Sequence, residues 1–204
     1  MSIHDEPTLL QIKQKLGGSV KLRSNARAFR YRLHHKKGMI EVLNKINGYC
    51  RNSVRILQLQ KLCLEMQIEY ISPINLTIHS SWFSGFFDGD GTISYCYKKG
   101  YPQLVISVSN KKEIDCLPFK RMFGGFIRLD SYSNTHKWEI FRKEEIMFFC
   151  NYLKNHPLHS HKKQRVFLVP KFFELREMGA FKKPEESLTY KTWLIFEKKW
   201  FSVP

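Results

Sequence analysis

The sequence predicts an α+β protein with antiparallel sheets, and three observations lead to that fold class. Short segments in which apolar and polar residues alternate come in neighbouring pairs, such as residues 20–23 and 29–33. Segments with apolar residues at helical spacing separate these pairs. The same order of elements then returns in the second half of the chain, which indicates an internal duplication.

The composition indicates a folded and strongly basic chain. Its 204 residues are 43% hydrophobic and 14% aromatic, which suits one ordinary domain or two small ones. The 34 Lys and Arg residues outnumber the 18 Asp and Glu residues, for a net charge of +16, and they are spread along the chain. Nucleic acid is therefore the first partner to expect, and an anionic membrane surface the second.

Three sequence patterns narrow the class of protein further. No run of about 18 apolar residues is present, so we expect no membrane-spanning segment. The first residues, Met-Ser-Ile-His-Asp-Glu, have neither the apolar core of a signal peptide nor an Arg-rich presequence. The five cysteines are scattered and none forms a C-x-x-C pair, which favours reduced thiols in an intracellular compartment.

The first half of the chain predicts one helix, two strands and two further helices. Residues 7–16 have helical spacing, with Thr8 as the N-cap and Gly17-Gly18 as the stop. The two alternating segments that follow predict strands, each with basic side chains on one face and apolar side chains on the other. Helices are then predicted over residues 39–46 and 54–66, and a linker over residues 71–79.

The stretch from residue 80 to 94 combines an apolar helix with carboxylates at its end. A serine pair can cap this helix, and four aromatic residues cover most of its circumference, so we expect it to be buried. Gly85 and Gly89 lie four residues apart on one face, where they allow another backbone to approach closely. Asp88 and Asp90 follow where the helix ends. The simpler alternative is a core helix that ends in an Asp-Gly turn.

The remaining sequence predicts four strands and three helices. Strands are predicted over residues 92–98, 103–109, 126–130 and 136–141, and helices over about 112–122, 144–153 and 162–177. Gly124-Gly125 ends the first of these helices, as Gly17-Gly18 ends the helix of the first half. The apolar, Lys-containing tail from residue 190 to 200 is expected to dock on the fold.

A constant offset relates the two halves. The residue numbers of Gly17 and Gly124 differ by 107, and the same offset aligns Leu22 with Leu129, Ser24 with Ser131 and Lys36 with Lys143. A copy of Asp90 at this offset would precede Met1, so we expect the first repeat to lack its glycine-aspartate helix and its first two strands. The prediction is a partial repeat over residues 1–70, a linker over 71–79 and a complete repeat over 80–204.

Residues 83–91, Phe-Ser-Gly-Phe-Phe-Asp-Gly-Asp-Gly, closely resemble the nine-residue signature of LAGLIDADG homing endonucleases and maturases. The following Thr-Ile-Ser, the Gly-Gly pair after a helix and His-Pro-Leu at 156–158 are also similar to that family. The resemblance covers about residues 8–177. It implies homing-endonuclease-like αββαββα repeats whose antiparallel, saddle-shaped sheets sit in the DNA major groove, with two signature helices packed at a pseudo-twofold axis.

The resemblance also implies roles for the residues of this helix. Gly85, Gly89 and Phe86 match the surface through which two signature helices touch. Asp90 matches the catalytic acid, which binds Mg²⁺ or another divalent cation together with a nearby backbone carbonyl, such as that of Gly89. Asp88 is expected to cap or orient instead.

Basic and polar side chains outside the helix complete the implied site. Family enzymes often place a basic residue near the end of the fourth strand, and Arg142 or Lys143 fits that position, with Lys143 preferred. Arg and Gln suit base edges and Lys suits phosphates, although a solvated sheet face is an equal alternative for any single residue. The expected nucleic-acid-binding residues are Lys21, Arg23, Arg30, Arg32, Ser94, Lys98, Gln103, Ser107, Ser109, Arg128, Lys137, Glu139, Lys162 and Lys163.

One departure from the family pattern concerns the number of acids. Double-strand cutting in this family takes one acid from each of two signature helices, and this sequence supplies one. Three explanations of the missing acid are open. Another polypeptide provides the missing helix and strands, two copies pair through their Gly85 faces, or the protein does not cut. A folded partial repeat exposes sheet edges and an apolar face, so we expect it to need a partner.

Two functions follow as hypotheses. The first is one part of a split intron-type endonuclease or maturase that hydrolyses DNA phosphodiesters, with Asp90 as a metal ligand. The second is a catalytically inactive, cofactor-free RNA-binding component of an organellar ribonucleoprotein such as the mitochondrial ribosome, with rRNA and ribosomal proteins as partners. The family's occurrence in organellar introns, together with a chain rich in Lys and Phe, predicts a mitochondrial or plastid genome as the origin.

Overall fold

The computed structural model describes residues 1–203, which form a small and a larger antiparallel sheet with helices packed around them. The helices are α1 (Glu6–Leu16), α2 (Lys36–Ile46), α3 (Ser53–Glu65), α4 (Trp82–Asp90), α5 (Leu117–Phe123), α6 (Lys143–Asn155), α7 (Lys163–Glu177) and α8 (Leu188–Ser202). The strands are β1 (Ser19–Leu22), β2 (Phe29–Arg32), β3 (Gly91–Lys98), β4 (Tyr101–Asn110), β5 (Phe126–Asp130) and β6 (Thr135–Ile140). The predicted α+β class is confirmed.

The larger sheet has the strand order β3-β4-β6-β5, with every neighbouring pair antiparallel. Alternate residues of its strands, among them Ile106, Val108 and Trp138, are fully buried on one face. Aromatic residues of the surrounding helices, such as Phe87 and Phe149, complete this main core. The other face of the sheet carries the polar residues of the same strands.

The two halves of the chain repeat their hydrogen bonds as well as their element order. We call residues 1–70 the first repeat and residues 80–203 the second. The Tyr31 hydroxyl donates to the Gly17 carbonyl at 2.8 Å, and the Trp138 indole N–H donates to the Gly124 carbonyl at 2.8 Å. The four glycines after α1 and α5 have φ between 74° and 86°, where a side chain would be strained. The two glycine pairs are therefore equivalent turns, 107 residues apart.

The first repeat has a much smaller core than the second. Its buried apolar cluster consists of Leu43, Leu59 and Cys63. Residues that are 107 positions apart differ in exposure: Ile46 is 40% exposed where Leu153 is 4% exposed. Leu62, 42% exposed, likewise corresponds to Val169 at 0%. The helices of the first repeat thus carry core-type side chains that nothing within residues 1–203 fully covers.

Helix α8 docks on the second repeat, as expected for the apolar tail. Trp193 and Trp200 are buried against Tyr95 of β3, with ring centroids 6.1 and 5.3 Å from the Tyr95 ring. Glu197 of the same helix accepts hydrogen bonds from the Tyr95 hydroxyl at 2.7 Å and the Tyr97 hydroxyl at 3.0 Å. No helix within the described residues has the length and apolar content needed to span a bilayer.

The predicted N-cap of α1 is wrong, because tertiary contacts claim the residue. The helix begins at Glu6, and the Thr8 hydroxyl donates to the carbonyl of His159 in the second repeat at 3.0 Å. Asp5 occupies the N-cap position without capping, because its carboxylate accepts from the backbone N–H of His161 at 2.8 Å. Both side chains therefore join the two repeats to each other.

Candidate active site and nucleic-acid interface

Helix α4 is held in the second repeat by its aromatic residues. Phe83 and Phe87 are fully buried, with the Phe83 ring 5.2 Å from Phe119 and the Phe87 ring 5.1 Å from Phe149. The helix starts with the N–H of Trp82 donating to the Ser80 hydroxyl at 3.2 Å. Since α4 continues directly into β3, the end of the helix is placed at the edge of the sheet.

The glycine face of α4 is open, which corrects the expectation that this helix is buried around most of its circumference. Gly85 and Gly89 are exposed, and a Cβ on either one would meet no atom within 4 Å. An apolar groove of about 540 Å³ runs between this face and the first repeat. Its lining includes Ile46, Leu59 and Leu62 of the first repeat and Trp82, Gly85 and Phe86 of α4.

Asp90 stands at the C-terminal end of α4 as a free carboxylate. The residue is exposed, and within residues 1–203 its side chain has no hydrogen-bond or ion-pair partner. The Gly89 carbonyl precedes it at the negative end of the helix dipole. Carboxylate and carbonyl oxygens are the ligands that Mg²⁺ and Ca²⁺ prefer, so these two groups fit a hard divalent cation.

The described residues supply only part of a metal site. No group of three His, Cys, Asp or Glu side chains within residues 1–203 is arranged to hold a metal ion. A cation at Asp90 would therefore complete its coordination with water, phosphate oxygens or an acid from another segment. A cleft of about 380 Å³ connects Asp90 to two cationic side chains, Arg55 and Lys111.

Lys162 is the basic residue that the structure brings to the end of α4. Its ammonium group donates to the carbonyls of Phe87 at 3.1 Å, Asp88 at 2.8 Å and Gly89 at 3.3 Å. Burial lowers the pKa of Lys162, while the carboxylates of Asp88 and Asp90 act in the opposite direction. The sequence places Lys162 among the nucleic-acid contacts, whereas its ammonium group here satisfies the last turn of the helix.

Lys143, the predicted basic residue of the site, contacts helix α7. Its ammonium group pairs with Glu177 of α7 and lies 5.8 Å from the centre of the Phe173 ring. The α6–α7 pair therefore engages this side chain. The residue 107 positions earlier is basic in both cases, Arg55 for Lys162 and Lys36 for Lys143, so the repeat in the sequence does not distinguish the two lysines.

Asp88 orients a turn, as expected, and does not line the cleft that contains Asp90, Arg55 and Lys111. Its carboxylate accepts hydrogen bonds from the backbone N–H groups of His159 at 2.7 Å and Ser160 at 3.0 Å. The Ser160 hydroxyl donates to the same carboxylate. These contacts fix the turn before α7 and thereby the position of Lys162 beside α4.

The predicted binding residues of the second repeat share one face of the larger sheet. The register pairs Ser109 with Lys137 and Lys137 with Arg128, so these side chains are neighbours. Glu139 receives two hydrogen bonds from Arg128, at 2.9 and 3.1 Å, and pairs with Lys137 at 3.5 Å. Ser107 and Glu139 are only 3% and 9% exposed, so they offer little surface to a ligand.

The first repeat presents a purely cationic surface, which we call the basic cluster: Lys21, Arg23, Arg30 and Arg32. Lys21 and Arg30 are directly opposite each other on β1 and β2, and the four side chains surround a depression of about 350 Å³. Within the described residues, none of the four pairs with a carboxylate. Arg32 stands 107 positions before Glu139. The first repeat therefore has a cation at the position where the second repeat has the acid that pairs with Arg128 and Lys137. Such a surface suits phosphate groups.

The remaining predicted contacts differ in how freely they reach solvent. Ser94 and Lys98 on β3 are exposed, and Lys163 is exposed at the start of α7. Gln103 is half-buried, and its amide oxygen has no hydrogen-bond partner within residues 1–203. Its amide is therefore the least accessible of these groups.

Comparison with known proteins gives a consistent set of relatives. A family model described as LAGLIDADG endonuclease matches residues 83–173. The intron-encoded RNA maturase bI4 of Saccharomyces cerevisiae is 46% identical over 98% of this chain and 32% of its own length. The chain therefore spans about a third of that maturase. The intron-encoded DNA endonuclease ai2b of Dictyostelium discoideum is 31% identical over 87% of this chain and 70% of its own length.

Solved structures with the same fold include the nuclease I-SmaMI. Its structure bound to an uncleaved DNA target in the presence of calcium ions aligns with a TM-score of 0.72. The alignment covers 97% of this chain and 85% of that chain at 16% sequence identity. The homing-endonuclease-like fold predicted from the sequence is therefore confirmed.

Proposed function

Because this chain belongs to the LAGLIDADG endonuclease family, we propose that it binds DNA and hydrolyses phosphodiester bonds with a divalent cation at the end of α4. The observation that carries the proposal is the exposed, unpartnered Asp90 carboxylate beside the Gly89 carbonyl. The Asp90 carboxylate makes no contact that would hold α4 in the fold, so it has no structural role within residues 1–203. An oxygen site for a cation explains it.

Each group at this site has a separate task in the proposed reaction. Asp90 and the Gly89 carbonyl hold the cation, and the bound ion would activate water and stabilise the leaving oxygen. Lys162 satisfies the carbonyls of Phe87 and Asp88 and keeps a positive charge near the scissile phosphate. The basic cluster and the polar face of the larger sheet bind the nucleic acid backbone and base edges.

For double-strand cutting, the proposed enzyme needs a second signature helix against the glycine face of α4. The groove of about 540 Å³ beside Gly85, lined by uncovered core-type residues of the first repeat, supports a helix there. That helix, with its own acid, belongs to another polypeptide, to another part of the same one, or to a second copy. In each case a protein surface covers the groove and completes the second half of the site.

The proposal is tested with Asp90→Asn and a matched Asp130→Asn variant. Both change an acid to its amide, but Asp130 lies at the far end of β5, away from α4. Supercoiled plasmids that carry genomic fragments of the source organism are incubated with protein and Mg²⁺. We expect nicking by the wild type and Asp130→Asn and none by Asp90→Asn, with unchanged DNA binding in anisotropy titrations. Equal nicking by all three proteins would exclude Asp90 as the metal ligand.

A maturase function is the second candidate, favoured by the 46% identity to an intron-encoded RNA maturase along 98% of this chain. It uses the same basic surfaces for structured intron RNA and does not require Asp90. Splicing of the host intron in vitro distinguishes the maturase function from the endonuclease function. If the protein is a maturase, the Asp90→Asn variant should promote splicing as well as the wild type does. A role in the mitochondrial ribosome, the alternative from the sequence, has no support from the named relatives.

An organellar origin completes the proposal. The relatives named above are intron-encoded, which supports an intron of a mitochondrial genome, with a plastid genome as the alternative. Mapping the coding sequence tests this origin, since a position within an intron of an organellar gene is expected and a nuclear gene would contradict it.

A further inference from the structure

The second repeat contains an apolar groove that the proposed reaction does not use. It lies between α6 and α7 and encloses about 270 Å³. Its apolar lining includes Met147, Cys150, Leu153, Pro157, Val166 and Pro170. Two lysines, Lys154 and Lys163, also line it. Phe167 stands beside the groove and is 78% exposed.

The equivalent groove of the first repeat is occupied by the chain itself. The residues 107 positions before Cys150, Val166 and Pro170 are Leu43, Leu59 and Cys63, the buried cluster of the first repeat. Met66, Ile68 and Tyr70, from the segment after α3, pack against that cluster. Ile68 and Tyr70 are half-buried, whereas the intervening Glu69 is exposed. The occupant is thus an extended peptide with alternate apolar side chains inward and an acid outward.

Backbone hydrogen bonds hold this segment in its groove. The chain reverses at Gln67, where φ is 56°, and the Ile68 N–H donates to the Cys63 carbonyl at 2.8 Å. The Asn47 side chain then donates to the Glu69 carbonyl at 2.7 Å and accepts from the Ile71 N–H at 2.9 Å. The groove therefore recognises the main chain of an extended peptide together with two of its side chains.

The second repeat cannot fill its groove in the same way. Helix α3 ends at Glu65, but α7 continues to Glu177, which is 107 positions after Tyr70. The chain then leads into α8, which packs on Tyr95 and Phe172 instead. The open groove is the result of this longer helix.

We propose that the α6–α7 groove binds an extended segment of a partner protein, with apolar side chains at alternate positions and an acidic residue between them. Lys154 takes the place of Asn47, so it can donate to a peptide carbonyl or pair with the acid. Lys163 adds a second cation for that acid. The lining is otherwise apolar, which suits side chains such as Ile and Tyr better than the phosphates of a nucleic acid.

A peptide with the sequence of residues 66–72, Met-Gln-Ile-Glu-Tyr-Ile-Ser, serves as the probe, because this segment of the chain packs in the equivalent groove. It is titrated into methyl-labelled full chain and followed by NMR. We expect the methyl signals of Met147, Leu153 and Val166 to shift. Replacing the peptide residues that correspond to Ile68 and Tyr70 with Ser should weaken binding about tenfold for each side chain removed.

The charge requirement is tested with Lys154→Glu against Lys198→Glu, a matched reversal at an exposed position of α8. Lys154→Glu should weaken peptide binding several-fold, and Lys198→Glu should not. The proposal is overturned if the two variants behave alike, if only the first-repeat methyl signals of Leu43 and Leu59 respond, or if no signal shifts at millimolar peptide. It is equally overturned if an RNA oligonucleotide shifts Val166 and the peptide does not.

Discussion

Replacing Gly85 with alanine tests whether the open face of α4 is the surface for a second helix. Gly85 lies in the middle of the helix, and an added Cβ would meet no atom within 4 Å. In the isolated chain, the only effects are those of helix propensity and reduced freedom of the unfolded state. The substitution should therefore raise the free energy of unfolding by about 1 kcal/mol, or the melting temperature by roughly 2 to 4 °C.

The same substitution should have the opposite sign once a helix packs on that face. An extra carbon between two closely packed backbones costs about 1 to 3 kcal/mol, which corresponds to a loss of roughly 5- to 150-fold in affinity. A tagged copy of residues 80–110, which holds the helix and two strands that the first repeat lacks, serves as the partner. Its affinity for each variant is measured by anisotropy, and stability is measured by urea unfolding.

Lys191→Ala, an exposed change on α8, is the matched control and should leave the affinity unchanged. The reasoning is refuted if Gly85→Ala destabilises the isolated chain, because something would then already occupy the face. It is also refuted if the stabilised variant binds the partner as well as the wild type does, since a tight helix contact cannot absorb the added carbon.

Three further predictions follow from individual side chains. Lys162→Met should reduce Mg²⁺-dependent nicking at least about tenfold, because it removes the cation at the end of α4, whereas Lys143→Met should leave the nicking rate unchanged. Burial raises the pKa of the Cys150 thiol from 9.0 to about 12. Between about pH 9 and pH 12 the folded state therefore keeps a proton that the unfolded state loses. The free energy of unfolding falls as the pH rises through this interval. Cys150→Ala should remove roughly 2 to 3 kcal/mol of that fall, measured by urea titrations at pH 8 and pH 11. Arg30→Ala in the basic cluster should lower the slope of log K against log salt by about 1, measured by DNA anisotropy, and an unchanged slope would place the phosphates elsewhere.

Local patterns were sufficient to predict most of the secondary structure and the repeat. The glycine pairs after α1 and α5 require positive φ, so their spacing defines the register of the duplication before any contact is known. Period-two alternation likewise predicts which face of β4 and β6 is apolar, and Ile106 and Trp138 are fully buried on it. The carboxylate at the end of α4 was predictable because helix, glycines and acid are contiguous in sequence.

The partners of those side chains were decided by tertiary structure. Lys143 and Lys162 are equally basic, and only the tertiary contacts of the turn before α7 bring Lys162 to the end of α4, while Lys143 pairs with Glu177. Thr8 has the chemistry of an N-cap, yet its hydroxyl bonds to His159 in the other repeat. Helical spacing does not encode such long-range hydrogen bonds.

By itself, the sequence determined that this protein has two related halves and one acidic signature helix, because spacing and residue type are local properties. Only the tertiary structure showed which apolar surfaces stay open. The glycine face of α4 and the α6–α7 groove are lined by residues that look like ordinary core, and burial depends on whether another segment arrives to cover them. In the first repeat the segment after α3 covers its groove, and in the second repeat the longer α7 prevents it.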